Sequence, residues 1–403
     1  MADHEIRVLD ESNVRAAHTL FRGALHYKPA PDEMWELVED SYVPGRGFGA
    51  FQGEEMVGTA QSWSALLAVP GGGELPAATV SRVGVRADWT RRGVLSALMR
   101  RQFQALREAG EVVATLRASE AVIYGRFGYG VATRGRRVTV DQRRVSALPS
   151  KGTGGRIRLV DKETAETLAP EVYTAAGLTR PGMTTRWPSW WKMGLHNQMT
   201  EENARLAVHR GADGDDGYVL YSVKHGMPGK AHGKSVLTVV DLVAATPEVW
   251  AELWRFLFRV DLADEIVAEL RPLDEPLEWL LADRRVVEVS EVEDETWLRL
   301  VDVPAALAGR RYGAAEPVVL EVRDRFLPEN DGTYRITPDG AERTSAPADL
   351  SLDVDLLAAT YLGDVSFTEL AWANRVDVLD SAAPARADAL FATDRAPWSG
   401  TYF

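Results

Sequence analysis

Between residues 80 and 99 the chain reads VSRVGVRADWTRRGVLSALM: a β-branched strand, a short basic turn with one glycine, and the start of an amphipathic helix. That order leaves the backbone N–H groups of Arg91, Arg92, Gly93, Val94 and Leu95 without intrahelical partners, at the positive end of a helix dipole. A pyrophosphate suits such a cradle: Gly93 lets the backbone approach the phosphates, and Arg91 and Arg92 add charge. The bland alternative is an ordinary strand-to-helix connection with solvent-facing arginines. A second stretch of chemical interest is the end of the sequence, APWSGTYF (396–403), because most domains finish in a polar segment that frays. Trp398, Tyr402 and Phe403 can pin the tail to a core for stability, and the carboxylate of Phe403 then needs an explanation.

The elements that must hold these groups alternate strand and helix. HEIRVLD reads as a strand, and Ser12 is expected to cap a helix through NVRAAHTLFRGAL. GFGAFQGEEMVGTAQSW reads as a hairpin turning at Gln52-Gly53, and ATVSRVGVRAD as the strand before the basic turn. In the helix after the turn, Leu95, Met99, Phe103 and Leu106 recur at helical spacing, and Gly110 stands where a left-handed terminator belongs. The strand VVATLRA leads to Ser119 as N-cap of a short helix, EAVIYGRF, closed by Gly128. RRVSALPSKGTGGR is a turn-rich connection. Beyond it a strand, a helix, a long hairpin (GYVLYSVKHGMPGKAHGKSVLTVVDLVA) and a helix starting at Thr246-Pro247 repeat the first segment in pattern, not in residues. From about residue 291, WLRLVDVPAALAG, PVVLEVRD, GTYRITPDG and ADLSLDVDLLAATYLG read as regularly spaced strands, with helices near FTELAWAN and APARADALFAT. The expected division is 1–133, 134–290 and 291–403, an α/β (α+β) architecture.

At 403 residues the chain is too long for one ordinary core. It has no Cys, which removes disulfides, thiolate metal sites and thiol nucleophiles, and seven His without metal-site spacing suggest no metal. A net charge of −13 argues against nucleic acid as the main partner and is compatible with a cationic substrate, or simply with solubility. A charged N-terminus and the lack of a long apolar run point to a cytoplasmic protein without a membrane span.

RRGVLSALMRRQFQALREAG, LRASEAVIYGRFGYGVAT and the terminal TYF together resemble the Enhanced intracellular survival (Eis) family of GCN5-related N-acetyltransferases, over the full length. The short coenzyme motif of those enzymes is matched in part, with Thr90 at its first position and Leu95 at its last. The resemblance implies two fused acetyltransferase-type domains, the second without a working coenzyme site, then a sterol carrier protein-like domain, typically assembled as a homohexamer. It implies acetyl-CoA held by Val83, Gly84 and Val85, by Arg91, Arg92, Gly93, Val94, Leu95 and Ser96, and by Ser119 with Glu120. An exposed strand edge pairing with pantetheine amides is consistent with the first group. It further implies Tyr124 as general acid and the carboxylate of Phe403 as general base. A phenol with an ordinary pKa near 10 lies roughly 1.5 units above a thiol near 8.5, so it can protonate a departing thiolate when coupled to bond cleavage. An α-carboxylate near 3.5 is a weak base unless burial raises it.

The acceptor side is harder to read. Phe21 and Trp35 are plausible walls and Asp32 and Glu33 can attract a cation, although each residue type is also ordinary packing or solvated surface. Members of the family act on aminoglycosides or lysine side chains; here Gly23 and Tyr402 supply no charge beside the expected site, which weakens the aminoglycoside assignment. The aromatic cluster RWPSWWK (186–192) reads as packing or an interface. The leading expectation is an acetyl-CoA-dependent N-acetyltransferase acting on small amines or lysine. Competing expectations are a lipid or hydrophobe carrier on an acetyltransferase-like scaffold, and an assembly protein that binds acetyl-CoA without turnover.

Overall fold

The computed structural model describes residues 4–148, 155–226 and 233–403. They form two compact units: one takes the chain up to Thr133 together with Arg180–Ser189 and Asp294–Phe403, the other Arg134–Thr179 and Trp190–Glu293. The chain begins with β1 (Glu5–Val8), α1 (Val14–Ala24), α2 (Asp32–Val38), β2 (Gly47–Gln52), β3 (Glu55–Val69), β4 (Gly73–Val85), α3 (Val94–Glu108), β5 (Val113–Leu116), α4 (Ala121–Tyr124) and β6 (Gly130–Asp141). Within the first unit β1-β2-β3-β4 pair antiparallel and β4-β5 parallel. Leu98, Met99, Phe103 and Leu106 of α3 pack on Phe48 and Ala60 of this sheet, the face that the helical spacing calls for.

The second unit contains β7 (Arg156–Val160), α5 (Lys162–Ala176), most of α6 (Pro188–His196), β8 (Arg205–Arg210), β9 (Asp215–Lys224), β10 (Val236–Ala244), α7 (Pro247–Leu257) and β11 (Glu265–Pro272). Its sheet order is β6-β11-β10-β9-β8-β7, with β10-β11 the parallel pair. Element for element this repeats β1 to β5, and the strand, helix, hairpin and helix read in the sequence are part of that repeat. The hairpin expected between 217 and 244 is present as β9 and β10; residues 227–232 within it, and 149–154 of the expected connection, lie outside the described residues.

The last part holds β12 (Val287–Leu300), α8 (Val303–Gly309), β13 (Val318–Arg323), β14 (Gly332–Thr337), β15 (Gly340–Thr344), β16 (Leu350–Asp353), α9 (Val354–Tyr361), α10 (Phe367–Trp372), β17 (Asp377–Val378) and α11 (Ala383–Phe391). Trp297–Leu300 of β12 pair antiparallel with β5, so the first unit's sheet is completed by a strand from far along the chain. A separate sheet runs β15-β14-β13-β16-β17. Its helices bury Leu320, Leu352, Leu357 and Phe391 in one core with Leu67, Val69, Leu75 and Val113 of the N-terminal sheet. That shared core is what brings the end of the chain to the N-terminal domain.

Four local expectations change. Ser12 does not cap α1: Asn13 does so by position, while the Ser12 hydroxyl turns back to Asp10. The cap of α4 is Glu120 instead of Ser119. Residues 303–309 and 354–361, read as strand continuations, are helices. Asp302 caps the first through the Ala305 N–H (3.0 Å) with Pro304 in its first turn, and Val303, Ala306 and Leu307 form its buried stripe, too short a run to mark a helix; the second is buried on nearly every face and shows no stripe. β8 and α6 had no expected counterpart.

Candidate active site

The β4–β5 ladder runs only from Ala77↔Val113 to Thr79↔Thr115, while β4 continues, paired with β3, to Val85. Thr59 pairs with Gly84 and Gln61 with Ser81, so β4 carries a bulge, at which Arg82 takes a left-handed φ of +51°. Val83, Gly84 and Val85 therefore lie on the part of β4 that extends past its neighbour. Gly84 is also where α1 crosses closest: a Cβ there would meet the Cα of Phe21 at 3.2 Å. Phe21 and Trp35 come together through His18, with ring centroids 6.2 and 5.7 Å away. Asp32 pairs with Arg15, so its charge is already answered.

The basic turn after β4 contains two left-handed positions. Arg91 and Gly93 both sit at positive φ, +63° and +82°. No side chain caps α3, its first turn has no acid, and a Cβ on Gly93 would meet nothing within 4 Å. The N–H groups at the start of this 15-residue helix thus lack a side-chain cap at its positive end. Arg91 is exposed, the Arg92 guanidinium lies 4.7 Å from the Trp89 ring centroid, and Val94 is buried, anchoring the helix start on the core. Alongside, a cleft of about 940 Å³ runs between α1 and the end of β4, lined among others by Thr19, Gly23, Val85, Arg86 and Thr90. An open strand edge leading to an uncapped, glycine-started helix is the donor set that a pyrophosphate followed by a chain of amides needs, so the residues fit a coenzyme A-type ligand.

Ser119 and Glu120 are exposed and precede a helix of only 4 residues, too short to gather a dipole. Tyr124 ends that helix, its ring edge-on to Tyr129 at 5.8 Å. Burial, aided by the negative charge of Glu120, pushes its phenol up to about 12. It is a neutral O–H donor throughout the physiological range.

The tail is seated residue by residue. The Trp398 N–H donates to Pro181 O (2.8 Å), and Arg180 to Ala396 O (2.8 Å). Arg186 reaches both Gly400 O (2.7 Å) and Thr401 Oγ1 (3.2 Å). Glu295, only 2% exposed, accepts the N–H groups of Ser399 at Oε2 (2.8 Å) and Gly400 at Oε1 (2.9 Å) and the Thr133 hydroxyl at Oε2 (3.0 Å). Beyond this seat the Phe403 ring meets Trp187 edge-on at 5.9 Å, and Trp187 stacks at 4.9 Å on Trp63 of β3. The Tyr402 ring lies 4.5 Å from the guanidinium of Arg117, the residue following β5. The last two residues are therefore held from both the β3 side and the end of β5. Glu295, Arg180 and Arg186 were missed in the sequence: their partners are over 100 residues away, and Trp187 drew attention only as part of an aromatic cluster.

A second missed group lies under α1. His18 Nδ1 is 3.2 Å from the Tyr42 hydroxyl, and Arg82 lies over the Tyr42 and Trp63 rings while bonding Gln61. Burial first, then Arg82 and Arg22, lower the His18 pKa to about 4, so the imidazole is neutral.

An acetyltransferase (GNAT) domain model matches residues 5–132, a second such model 182–300, and a sterol carrier protein domain model 303–400. The chain is 40% identical over 375 residues to an uncharacterized N-acetyltransferase of Streptomyces avermitilis, covering 91% of this chain and 90% of that one. It is 36% identical over 366 residues to N-acetyltransferase Eis of Mycobacterium tuberculosis, covering 86% and 85%. The crystal structure of Eis1 from Mycobacterium abscessus superposes with a TM-score of 0.90 at 38% identity, over 99% of this chain and all of that one. Two GNAT domains followed by a sterol carrier protein-like domain, on a chain this similar to Eis enzymes from end to end, make it a member of the Eis family of GCN5-related N-acetyltransferases.

Proposed function

We propose that the N-terminal domain holds acetyl-CoA along Val83–Val85 and at the Arg91–Ser96 turn, and transfers acetyl to a primary amine of a small cationic molecule or a lysine side chain. The observation that carries this is the uncapped start of α3, with Arg91 and Gly93 at positive φ, directly after the stretch of β4 that outruns β5. Acetyltransferases of this type use acetyl-CoA, whose thioester supplies an activated acetyl group. What the chain must supply is a seat for the phosphates, a base for the acceptor ammonium and an acid for the departing sulfur.

Tyr124 is assigned the acid and the terminal carboxylate of Phe403 the base. With its phenol pushed up to about 12, Tyr124 keeps its proton until sulfur charge develops. Against an ordinary thiol near 8.5 the transfer is uphill by about 3.5 pH units, roughly 5 kcal/mol, so the O–H moves in concert with C–S cleavage. An ammonium near 10.4 is far from an ordinary carboxylate, so the base acts through proximity as the C–N bond forms, directly or through one water.

The test is thiol release from acetyl-CoA with a panel of aminoglycosides and lysine peptides. It compares the native protein, Tyr124→Phe, and a protein extended by a few residues past Phe403. Both variants are expected to lose about a hundredfold or more in kcat while binding acetyl-CoA normally. Native turnover by the extended protein would exclude the carboxylate as base.

A further inference from the structure

Glu295 is an unusual anchor. A buried carboxylate is costly to desolvate, and burial raises its pKa, yet Arg180 and Arg186 already tie down the tail through the Ala396 and Gly400 carbonyls. Its side chain does something that Arg180 and Arg186 do not. Its two oxygens take the N–H groups of consecutive residues, Ser399 and Gly400, which fixes the orientation as well as the place of that stretch of backbone. The carboxylate is itself held by the Thr133 hydroxyl, which in turn accepts the Thr296 N–H (3.1 Å).

The location adds to the point. Trp297 pairs with Leu116, the last residue of β5, so antiparallel register sets Glu295 alongside the segment that leaves β5 toward Tyr124. Arg117, in that segment, carries the Tyr402 ring at 4.5 Å. From Gly400 three residues remain, a reach of roughly 10 Å when extended, with Thr401 fully buried along the way. The backbone at Gly400 sets the direction in which those three residues leave the seat.

We propose that Glu295 is a positioning residue for acetyl transfer: by gripping the Ser399 and Gly400 N–H groups it sets where the Phe403 carboxylate meets the acceptor amine. This rests on the reading of that carboxylate as the base. Glu295→Gln keeps the shape but presents a donor to one of the two N–H groups, so the grip fails on one side.

The experiment is a double-variant cycle between Glu295→Gln and the extension past Phe403. It reads kcat, KM for acetyl-CoA and thermal midpoint. Glu295→Gln alone is expected to lower kcat about 30- to 100-fold with KM for acetyl-CoA within about twofold. In the extended protein the same substitution is expected to cause no further loss, because the group it positions no longer acts. Glu295→Asp, which keeps the charge but withdraws it by one methylene, provides the folded control and should show an intermediate kcat with a near-native midpoint. Native kcat in both Glu295 variants overturns the proposal. So does a full additional loss in the extended background, which leaves the base assignment standing. A native rate in the extended protein instead removes the base assignment itself.

Discussion

Gly400 gives the sharpest test of whether the tail must be seated to work. It lies at φ +63°, and a Cβ there would meet Trp398 ring atoms at 2.3 to 2.6 Å. In Gly400→Ala the backbone term costs about 1–2 kcal/mol. Restoring ordinary contact means parting methyl and indole by about 1.2 Å, and forcing a methyl into a packed site costs roughly 1–3 kcal/mol more. If the tail lets go, the lower end of that sum, some 2 kcal/mol, lowers the ratio of seated to released tail about thirtyfold, and activity falls by that factor when the native tail is only marginally seated. If it stays, a displacement of about 1 Å at a reacting group costs on the order of a hundredfold. Both routes predict kcat down about 30- to 100-fold at saturating acetyl-CoA. Coenzyme affinity should be native, because the α3 cradle is untouched. Thiol-release rates with calorimetric titration of acetyl-CoA separate the two quantities. A kcat within about threefold of native would refute the reasoning.

Other outcomes follow from the same geometry. Gly93→Asp places a negative charge where α3 offers its free N–H groups, and at a left-handed φ that Asp tolerates. The affinity for acetyl-CoA should fall by about 30-fold, some 2 kcal/mol, with kcat at saturation changed only a few-fold, as titration and initial rates will show. His18 is held near 4 in the fold against about 6.5 unfolded, so the unfolded chain binds the extra proton first. This contribution is intact above pH 6.5 and is lost as pH falls toward 4, by up to about 3 kcal/mol. Urea midpoints between pH 7 and pH 4 should slope less steeply in His18→Gln than in the native protein; parallel slopes would remove His18 as the source.

How much of this could be read in the sequence depended on whether the physics was local. The basic turn was legible because a β-branched strand, Arg91-Arg92-Gly93 and a periodic helix stand side by side, and each constrains its neighbour. The shift of the Tyr124 phenol was not, since burial sets it, and burial is a property of the assembled core. Glu295 sits in EVEDETW among solvated acids, and nothing local distinguishes it from Asp294, which bonds the Trp297 indole. α9 defeated pattern reading for a different reason. A helix buried all round and a buried strand both present a continuous apolar run, and only the tertiary environment decides between them.

The two repeats share an element pattern but differ at the turn that leads into the helix. β10 repeats the bulge of β4 and also runs past its parallel ladder, from Val239↔Ala268 on to Ala244. The bulge and the overrun are thus present twice. The connection to the following helix differs. After β4 the chain spends residues 86–93 on a basic turn with two left-handed positions before α3 begins. After β10 it passes only Ala245 and Thr246. The Thr246 hydroxyl takes the Val249 N–H (3.3 Å), Pro247 removes a donor, and Glu248 adds negative charge at the helix start. The dipole of α7 is answered internally where that of α3 is left open. On the proposed reading, an anion cradle depends on what the turn leaves unsatisfied, and inserting a glycine-arginine turn before α7 tests this directly. Removing the Thr246 cap alone should cost about 1 kcal/mol of stability without conferring affinity for acetyl-CoA, because the loop that would wrap the phosphates is still missing. Coenzyme binding by Thr246→Ala at the second unit would show that the cap, not the turn, is what silences it.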